Sequence, residues 1–222
     1  MFGNLFSLEN IKIMIVRLPI ILFFALPMHE YAHSLVAYWF GDRTAKSQGR
    51  LTINPFAHLD PMGVLCMVFF GFGWARPVPV SPINLKHKPW SWSLVGLAGP
   101  VSNMILAFVF YLTYKLLEVF NFAFIGNEWI DLIFYVAVMV NVGLAVFNLL
   151  PIPPLDGFNV IVGFLPPKVQ LFVSKYGRYM TIIFIVLLFL DVLNPILIFL
   201  QGFVFEIIQY PADWIVNLVK SI

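Results

Sequence analysis

Two long stretches of this sequence contain no charged residue, and they constrain the fold more than any other feature. They run from Trp92 to Tyr114 and from Leu132 to Leu155. A helix that crosses a bilayer needs about 20 mainly apolar residues, so each stretch is long enough to span. Because only helices and closed barrels satisfy every backbone hydrogen bond in lipid, the sequence predicts an all-α polytopic membrane protein.

Composition agrees with lipid as the main solvent. Of the 222 residues, 61% are hydrophobic and 11% are charged, whereas a soluble domain carries roughly 25% charged residues. A soluble chain of this size has too little interior for so many apolar side chains, which excludes a water-soluble enzyme. The net charge of +2 without a basic cluster excludes a nucleic-acid-binding protein. The single cysteine excludes an internal disulfide.

Other apolar segments bring the expected number of hydrophobic helices to five or six. A first helix is predicted from about Ile11 to Phe40, and another from Tyr179 to Leu190, running on past Asp191. The segment Ile196–Val219 carries several polar residues among its hydrophobic ones. With Pro61–Gly73 counted as the second hydrophobic segment, Ile196–Val219 is the sixth, and it fits either a further span or a helix that lies in the interface.

Three segments between the first and third hydrophobic stretches do not fit a spanning helix. Thr44–Ile53 alternates weakly around Gly49 and predicts a short hairpin. Trp74–Pro82 contains three prolines, too many for a helix interior, and predicts an extended segment or edge strand. Pro61–Gly73 is apolar but short, which favours a re-entrant or protein-buried segment.

Basic residues are concentrated in two segments, Gly41–Pro89 and Gly157–Tyr179. In contrast, all the charged residues of Glu118–Asp131 are acidic. Cytoplasmic loops of membrane proteins carry an excess of Lys and Arg. If Pro61–Gly73 does not span, one topology places both basic regions in the cytoplasm. Lys12 and Arg17, on the outer side of that topology, run against it.

The first predicted helix contains His29-Glu30-Tyr31-Ala32-His33, an HExxH motif. Residues four apart share a helix face, so both imidazoles can reach one ion. Glu30 points about 100° away around the helix, which suits a base acting on metal-bound water. Two His and a Glu within an apolar helix are costly to bury and usually functional. The motif therefore predicts a metal site.

A catalytic zinc usually takes three protein ligands and leaves one position open. Asp156 is the best third ligand on sequence grounds, because it follows a charge-free run and a proline-rich loop that begins at Asn148. Such an irregular polar loop at a membrane helix end needs protein or a wet cavity around it. The candidates for the third ligand are His58, Asp60, His87, Glu118 and Asp156.

Taken together, these motifs resemble those of the site-2 protease family of intramembrane zinc metalloproteases. The two main similarities are the motifs HEYAH, at residues 29–33, and NLLPIPPLDG, at residues 148–157. Asn54–Gly63 is similar to the NPxxHxDPxG stretch of short bacterial members, GWARPVPVSP to their GWAKPVPV segment, and Ala98–Asn103 to their AGPxxN helix start. The motifs follow the family order across residues 29–157.

The resemblance implies a short bacterial-type member without PDZ or CBS domains, and one zinc ion per chain. It implies that His29, His33 and Asp156 bind the zinc and that Glu30 is the general base. It also implies that Asn148 positions the substrate or polarises the scissile carbonyl.

The implied substrate is a membrane protein with a transmembrane helix, cut by regulated intramembrane proteolysis. The implied location is a bacterial cell membrane, with the active site toward the cytoplasm and the lipid bilayer as surroundings. We expect a single domain over residues 1–222, with the catalytic core at about 10–160 and C-terminal helices at about 161–222. The sequence leaves the oligomeric state open.

Three alternatives stay open at this point: a membrane metalloprotease class with Glu as third ligand, a non-catalytic family member, and a metal transporter. No ExxxD-type motif supports the first, and the intact Glu30 argues against the second. A transporter needs polar groups along several helices, whereas those of this chain cluster at one depth. The stripe formed by Gly96, Gly99 and Asn103 indicates close helix packing, and the roles of His58 and Asp60 stay open.

Overall fold

The structure is a computed structural model that describes residues 8–70, 73–87 and 89–221. Two 3-10 turns, Pro55–Ala57 and Pro82–Asn84, lie in the connections between its helices. In chain order the helical elements are α1 (Leu8–Ile20), a π-helical turn (Ile21–Ala25), α2 (Leu26–Trp39), α3 (Thr44–Ser47), α4 (Pro61–Phe70), α5 (Trp90–Val119), α6 (Glu128–Leu149), α7 (Asp156–Val162), α8 (Pro167–Phe189) and α9 (Asn194–Lys220).

The prediction of an all-α polytopic membrane protein is confirmed. Within the described residues, four helical segments are long and apolar enough to cross a membrane, fewer than the five or six expected: Glu9–Trp39, Trp90–Val119, Glu128–Leu149 and Asn194–Lys220. The last of them favours a span over an interfacial helix for the C-terminal segment.

The predicted hairpin at Thr44–Ile53 is wrong, because the chain makes the short helix α3 there. The Asp42 carboxylate accepts hydrogen bonds from the backbone N–H of Thr44 at 3.0 Å and from its hydroxyl at 2.5 Å. These bonds favour a helical turn over an extended strand. Gly49, with a φ of +68°, then ends the turn.

Trp74–Pro82 is extended, as expected, but it does not form a strand. Within the described residues, its β-type pairing is a single antiparallel bridge between Leu59 and Ala75. Pro77 and Pro79 lack a backbone N–H and so interrupt any ladder along this segment.

Over its described residues, 61–70 and 73, the apolar segment Pro61–Gly73 does not form a helix long enough to span. It contains α4, whose 10 residues cover about 15 Å, half of a bilayer core of roughly 30 Å. Asp60 caps this helix by accepting the N–H of Gly63 at 2.9 Å. The exposed side chains of Met62 and Phe69 fit a re-entrant helix better than one buried in protein.

The predicted bounds of the next-to-last helix are also wrong. α8 begins at Pro167, twelve residues before Tyr179, and ends before Asp191 rather than after it. Asp191 has a φ of +57°, a left-handed conformation that stops the helix.

Helix α5 lies at the centre of the structure and contacts α2, α6, α7 and α9, while α1 packs on α6. Small and β-branched side chains fill the core between α5, α6 and α9: Ala107, Val138, Val142, Val146, Val204 and Ile208. This arrangement holds the HExxH segment of α2 and the start of α7 against the same stretch of α5.

Candidate metal centre

The two histidines of HExxH lie on one face of α2, as their spacing predicts. Their rings meet edge to face with centroids 4.7 Å apart, and the two Nε2 atoms are 3.1 Å apart. Both side chains are buried, with 5% of His29 and 8% of His33 exposed.

Asp156, the first residue of α7, completes the cluster. Its Oδ2 lies 3.0 Å from the Nε2 of His29 and 3.2 Å from the Nε2 of His33. Two ligand atoms bound at about 2.0–2.1 Å to a tetrahedral zinc are roughly 3.3–3.4 Å apart, so this triangle has nearly the required size. The three residues fit one zinc ion.

The far side of each imidazole fixes which nitrogen carries the hydrogen. His29 Nδ1 donates to Asn103 Oδ1 at 2.7 Å, and His33 Nδ1 donates to the carbonyl of Val95 at 2.6 Å. In the neutral rings both Nε2 lone pairs therefore face the Asp156 carboxylate. Three acceptors meet this closely only around a cation, either a proton or a metal ion.

A directed network of amides supports His29. The Nδ2 of Asn103 donates to the carbonyl of Ala25 at 3.2 Å and to the Oδ1 of Asn141 at 2.8 Å. Asn141 in turn donates to the carbonyl of Ala137 at 2.8 Å. These bonds use the Nδ2 groups of both asparagines as donors, so Asn103 presents its Oδ1 to His29. Asn103 therefore fixes the orientation of the His29 ring.

The glycines of α5 make room for the site rather than only for helix packing. A Cβ at Gly99 would overlap the imidazoles of His29 and His33, and a Cβ at Gly96 would press on the backbone of Asp156 at 3.1 Å. Gly157 is required as well, because a Cβ there would overlap the carbonyl of Leu149. The close approach of α5, α6 and α7 to the cluster depends on these three positions.

The environment keeps the Asp156 carboxylate ionised. Burial acts to raise the pKa of Asp156, but hydrogen bonding to His29 and His33, and their charge when a proton is shared among the three groups, outweigh it and hold the pKa well below the usual range. An ionised oxygen is the form in which a carboxylate binds a metal.

Glu30 lies beside the cluster without joining it. Its side chain is 9% exposed, and its Oε2 accepts the backbone N–H of Val78 at 3.0 Å. The extended segment Trp74–Pro82 therefore runs next to this carboxylate. Glu30, the three cluster residues and Asn148 line one cavity of about 500 Å³.

Asn148 faces this cavity from the end of α6. Its Nδ2 donates to the carbonyl of Leu144 at 2.9 Å within its own helix. One amide hydrogen is therefore in use, and the second is free to meet a group in the cavity.

The other candidate ligands lie outside the cluster. His58 is fully buried and bonds through Nε2 to the carbonyl of Thr52 at 2.8 Å, and Asp60 caps α4. His87 lies in a turn with a φ of +60°. Glu118, near the far end of α5, pairs with Lys115 at 2.9 Å.

Two contributions escaped the sequence analysis. The sequence signal for Asn141 is a polar amide in the middle of the charge-free stretch Leu132–Leu155. The carbonyl of Val95 carries no sequence signal, because every residue has one.

Comparisons with known proteins agree with this geometry. "Putative zinc metalloprotease YwhC" of Bacillus subtilis is 44% identical over 172 residues, covering 77% of this chain and 78% of YwhC. Residues 118–190 match peptidase family M50. The chain belongs to this family, the site-2 proteases. The four apolar helices of the described residues make it an integral membrane protein. Its family supports a membrane metalloprotease, and its His-His-Asp cluster fits one zinc ion.

Two further M50 relatives are more distant. "Putative zinc metalloprotease Rip2" of Mycolicibacterium smegmatis is 31% identical over 179 residues, covering 77% of this chain and 65% of Rip2. "Putative zinc metalloprotease MJ0611" of Methanocaldococcus jannaschii is 30% identical over 133 residues, covering 60% of this chain and 62% of that protein. No solved structure matches the chain.

The hydrogen bond from His29 to Asn103 yields a prediction about zinc affinity. Asn103→Leu removes the acceptor for His29 Nδ1 while keeping the branching and the number of heavy atoms of the side chain, so the lone pair on Nε2 is no longer fixed. We expect zinc to bind about 10- to 100-fold more weakly, measured by competition with a chelator of known affinity. Asp156→Ala, which removes a proposed ligand, should weaken binding further. Wild-type affinity in Asn103→Leu would show that the tautomer does not depend on this bond.

Proposed function

We propose that this protein hydrolyses peptide bonds within or next to transmembrane segments of membrane protein substrates, as an intramembrane zinc metalloprotease. One observation supports the proposal above all. The His-His-Asp cluster lines the same cavity as Glu30, a buried carboxylate that is not part of the cluster, and this cavity lies among apolar helices. Ionisable groups are energetically expensive to bury within a membrane and usually mark a functional site.

In this proposal His29, His33 and Asp156 bind one zinc ion, which supplies the Lewis acidity that acidifies water and polarises a peptide carbonyl. Glu30 takes a proton from the attacking water and returns it to the leaving amine. The N–H of Val78 holds one oxygen of Glu30 in place, and the other oxygen, in the same cavity, meets the water. The second amide hydrogen of Asn148, which lines the same cavity, binds the scissile carbonyl.

A groove along α6 supports a helical substrate. Two adjacent rows of α6 residues line it, each with a spacing of four: Tyr135, Met139, Gly143 and Phe147 in one row, and Val136, Val140 and Leu144 in the other. The first row is about 18 Å long at 1.5 Å per residue. Ile13 and Arg17 of α1 form one wall, and Gln201 of α9 belongs to the other.

The groove joins the surface of the helix bundle to the metal centre. Tyr135, at one end, is 64% exposed. Leu144 and Phe147, at the other end, also line the cavity that contains Glu30. We infer that one face of a substrate helix lies in this groove and that its unwound end reaches the cavity.

The same proposal places the cavity on the cytoplasmic side of a bacterial cell membrane. Lys12, one of the two basic residues that run against this topology, is paired with Glu128 at 2.6 Å. That contact puts the starts of α1 and α6 at the same end of the bundle, and Glu128 offsets the charge of Lys12. The basic loop between α2 and α5 then lies at the opposite end.

Replacing Glu30 by Gln is the primary test. Glu30→Gln keeps the three proposed ligands, so we expect one bound zinc per chain and loss of cleavage by a factor of about 100 or more. Membrane proteomes of cells with wild-type protein and with Glu30→Gln should differ in membrane-retained substrates, which identifies them. Retained cleavage would contradict the proposed base, and several weakly bound, exchangeable metal ions per chain would favour the transporter.

Filling the groove should separate substrate docking from chemistry. Within 4 Å, a Cβ at Gly143 meets only the Gln201 side chain, at an ordinary 3.7 Å. Gly143→Leu therefore starts from a position with room for a Cβ, and its longer side chain should occupy the groove, with unchanged zinc content as the check that the fold is kept. We expect cleavage of the membrane substrates found above to fall roughly tenfold or more. Zinc content and hydrolysis of a short water-soluble peptide with the same cleavage sequence should stay unchanged. Equal loss on both substrates would refute docking in the groove.

Thiol labelling in intact cells tests the orientation. In a Cys66→Ser background, cysteines replace Lys86, in the basic loop, or Phe124, in the connection between α5 and α6. An impermeant reagent should label position 124 and not position 86, since the basic loop is expected to be cytoplasmic. Labelling of position 86 alone would reverse the orientation.

A further inference from the structure

Arg50 is a buried cation whose hydrogen-bond partners are backbone carbonyls rather than a carboxylate. Only 8% of the residue is exposed. Among the described residues, its guanidinium makes no ion pair within 4.0 Å. A charged group without a close counter-ion is expensive to bury, so its hydrogen-bond partners need an explanation.

Those partners are two consecutive carbonyls of the extended segment beside Glu30. Arg50 Nη2 donates to the carbonyl oxygen of Arg76 at 2.5 Å and to that of Pro77 at 3.3 Å. The carbonyl of Pro77 and the N–H of Val78 belong to the same peptide group. That N–H is the donor to Glu30 Oε2 at 3.0 Å.

A trans peptide directs its C=O and N–H to opposite sides. Arg50 therefore contacts the carbonyl end of the peptide between Pro77 and Val78, while Glu30 contacts its N–H end. A cation at the oxygen polarises the peptide and makes the N–H a stronger donor. The ring of Pro77, which fixes φ, further limits rotation of this segment.

We propose that Arg50 is a positioning residue for Glu30 and acts through the peptide group between Pro77 and Val78. This inference rests on the proposed function, in which Glu30 is the general base. Arg50 does not touch the metal cluster, so its effect is on the carboxylate alone.

Electrostatics agrees with this arrangement. Burial and the neighbouring Arg76 both lower the pKa of Arg50, and the negative charge of Glu30 acts against them. The carboxylate and the guanidinium are thus close enough to influence each other, although a peptide group lies between them. Arg43, in the same loop region, is exposed and serves as a matched control.

The sequence permits a direct measurement of this peptide group. Carbonyl-¹³C proline combined with ¹⁵N-valine labels only Pro–Val pairs, which occur at 77–78, 79–80 and 100–101. In the full chain in lipid nanodiscs, Val78→Ala assigns the first signal by its disappearance. Glu30→Gln should move the Val78 amide proton upfield, because a neutral acceptor binds it less strongly.

The decisive variants are Arg50→Gln and Arg50→Lys. Arg50→Gln should move the Val78 amide proton upfield and leave the signals of Val80 and Val101 in place, which shows that the fold is kept. Arg50→Lys keeps the charge without the planar fork and should give an intermediate shift. Arg43→Gln should change nothing. A Val78 signal at the wild-type position in Arg50→Gln or in Arg50→Lys would overturn the proposal.

Kinetics separates this proposal from the proposed function. Arg50→Gln should lower kcat about tenfold, with KM and zinc content close to wild type, because only the proton transfer is affected. Normal cleavage by Glu30→Gln would refute the role of Glu30 itself. Normal cleavage by Arg50→Gln, with Glu30→Gln inactive, would refute the role of Arg50 alone.

Discussion

Polar groups inside an apolar bundle must find their partners within the protein, and this requirement organises the structure around α5. His29 and His33 on α2, Asp156 on α7 and Asn141 on α6 all direct polar atoms toward one region. Because water is scarce among the helices, each of these groups bonds to a side chain or carbonyl rather than to solvent. The bundle is held in register by these bonds as well as by its apolar contacts.

Close packing and chemistry depend on the same small residues in this protein. Gly96 and Gly99 lack the Cβ atoms that would occupy the space of Asp156 and the imidazoles. The backbone of α5 is therefore exposed toward the metal centre, and the carbonyl of Val95 can accept the hydrogen bond from His33. The helix that forms the centre of the core is therefore also one wall of the metal centre.

The sequence predicted the parts of the site in which spacing and burial cost carry information. HExxH placed two imidazoles on one face, and the proline-rich loop pointed to Asp156, which the structure brings within 3.2 Å of both. The all-α membrane class followed from the charge-free stretches. The catalytic roles of Glu30 and Asn148 stay predictions.

What the sequence missed depends on tertiary contacts. The hairpin at Thr44–Ile53 failed because a side chain before it, Asp42, makes a helical turn more favourable than alternation does. The contacts of Arg50 with two carbonyls, and of Val78 with Glu30, involve backbone atoms that no residue pattern marks. The expected number of hydrophobic helices was too high because Tyr179–Leu190 was counted from its apolar composition. That segment belongs to α8, whose first half carries Lys168, Lys175 and Arg178 and which is not among the four helices of the described residues that can span.

The separation of the three cluster residues along the chain has a consequence for stability. Asp156 is 127 residues from His29 and 123 from His33, so a metal ion among them closes a chain loop that contains α5 and α6. Because the three residues meet only in the folded chain, the ion stabilises that chain by binding to it, whereas a disulfide would restrict the unfolded chain. A chain with a single cysteine thus acquires a reversible cross-link, and its resistance to unfolding becomes a function of metal supply.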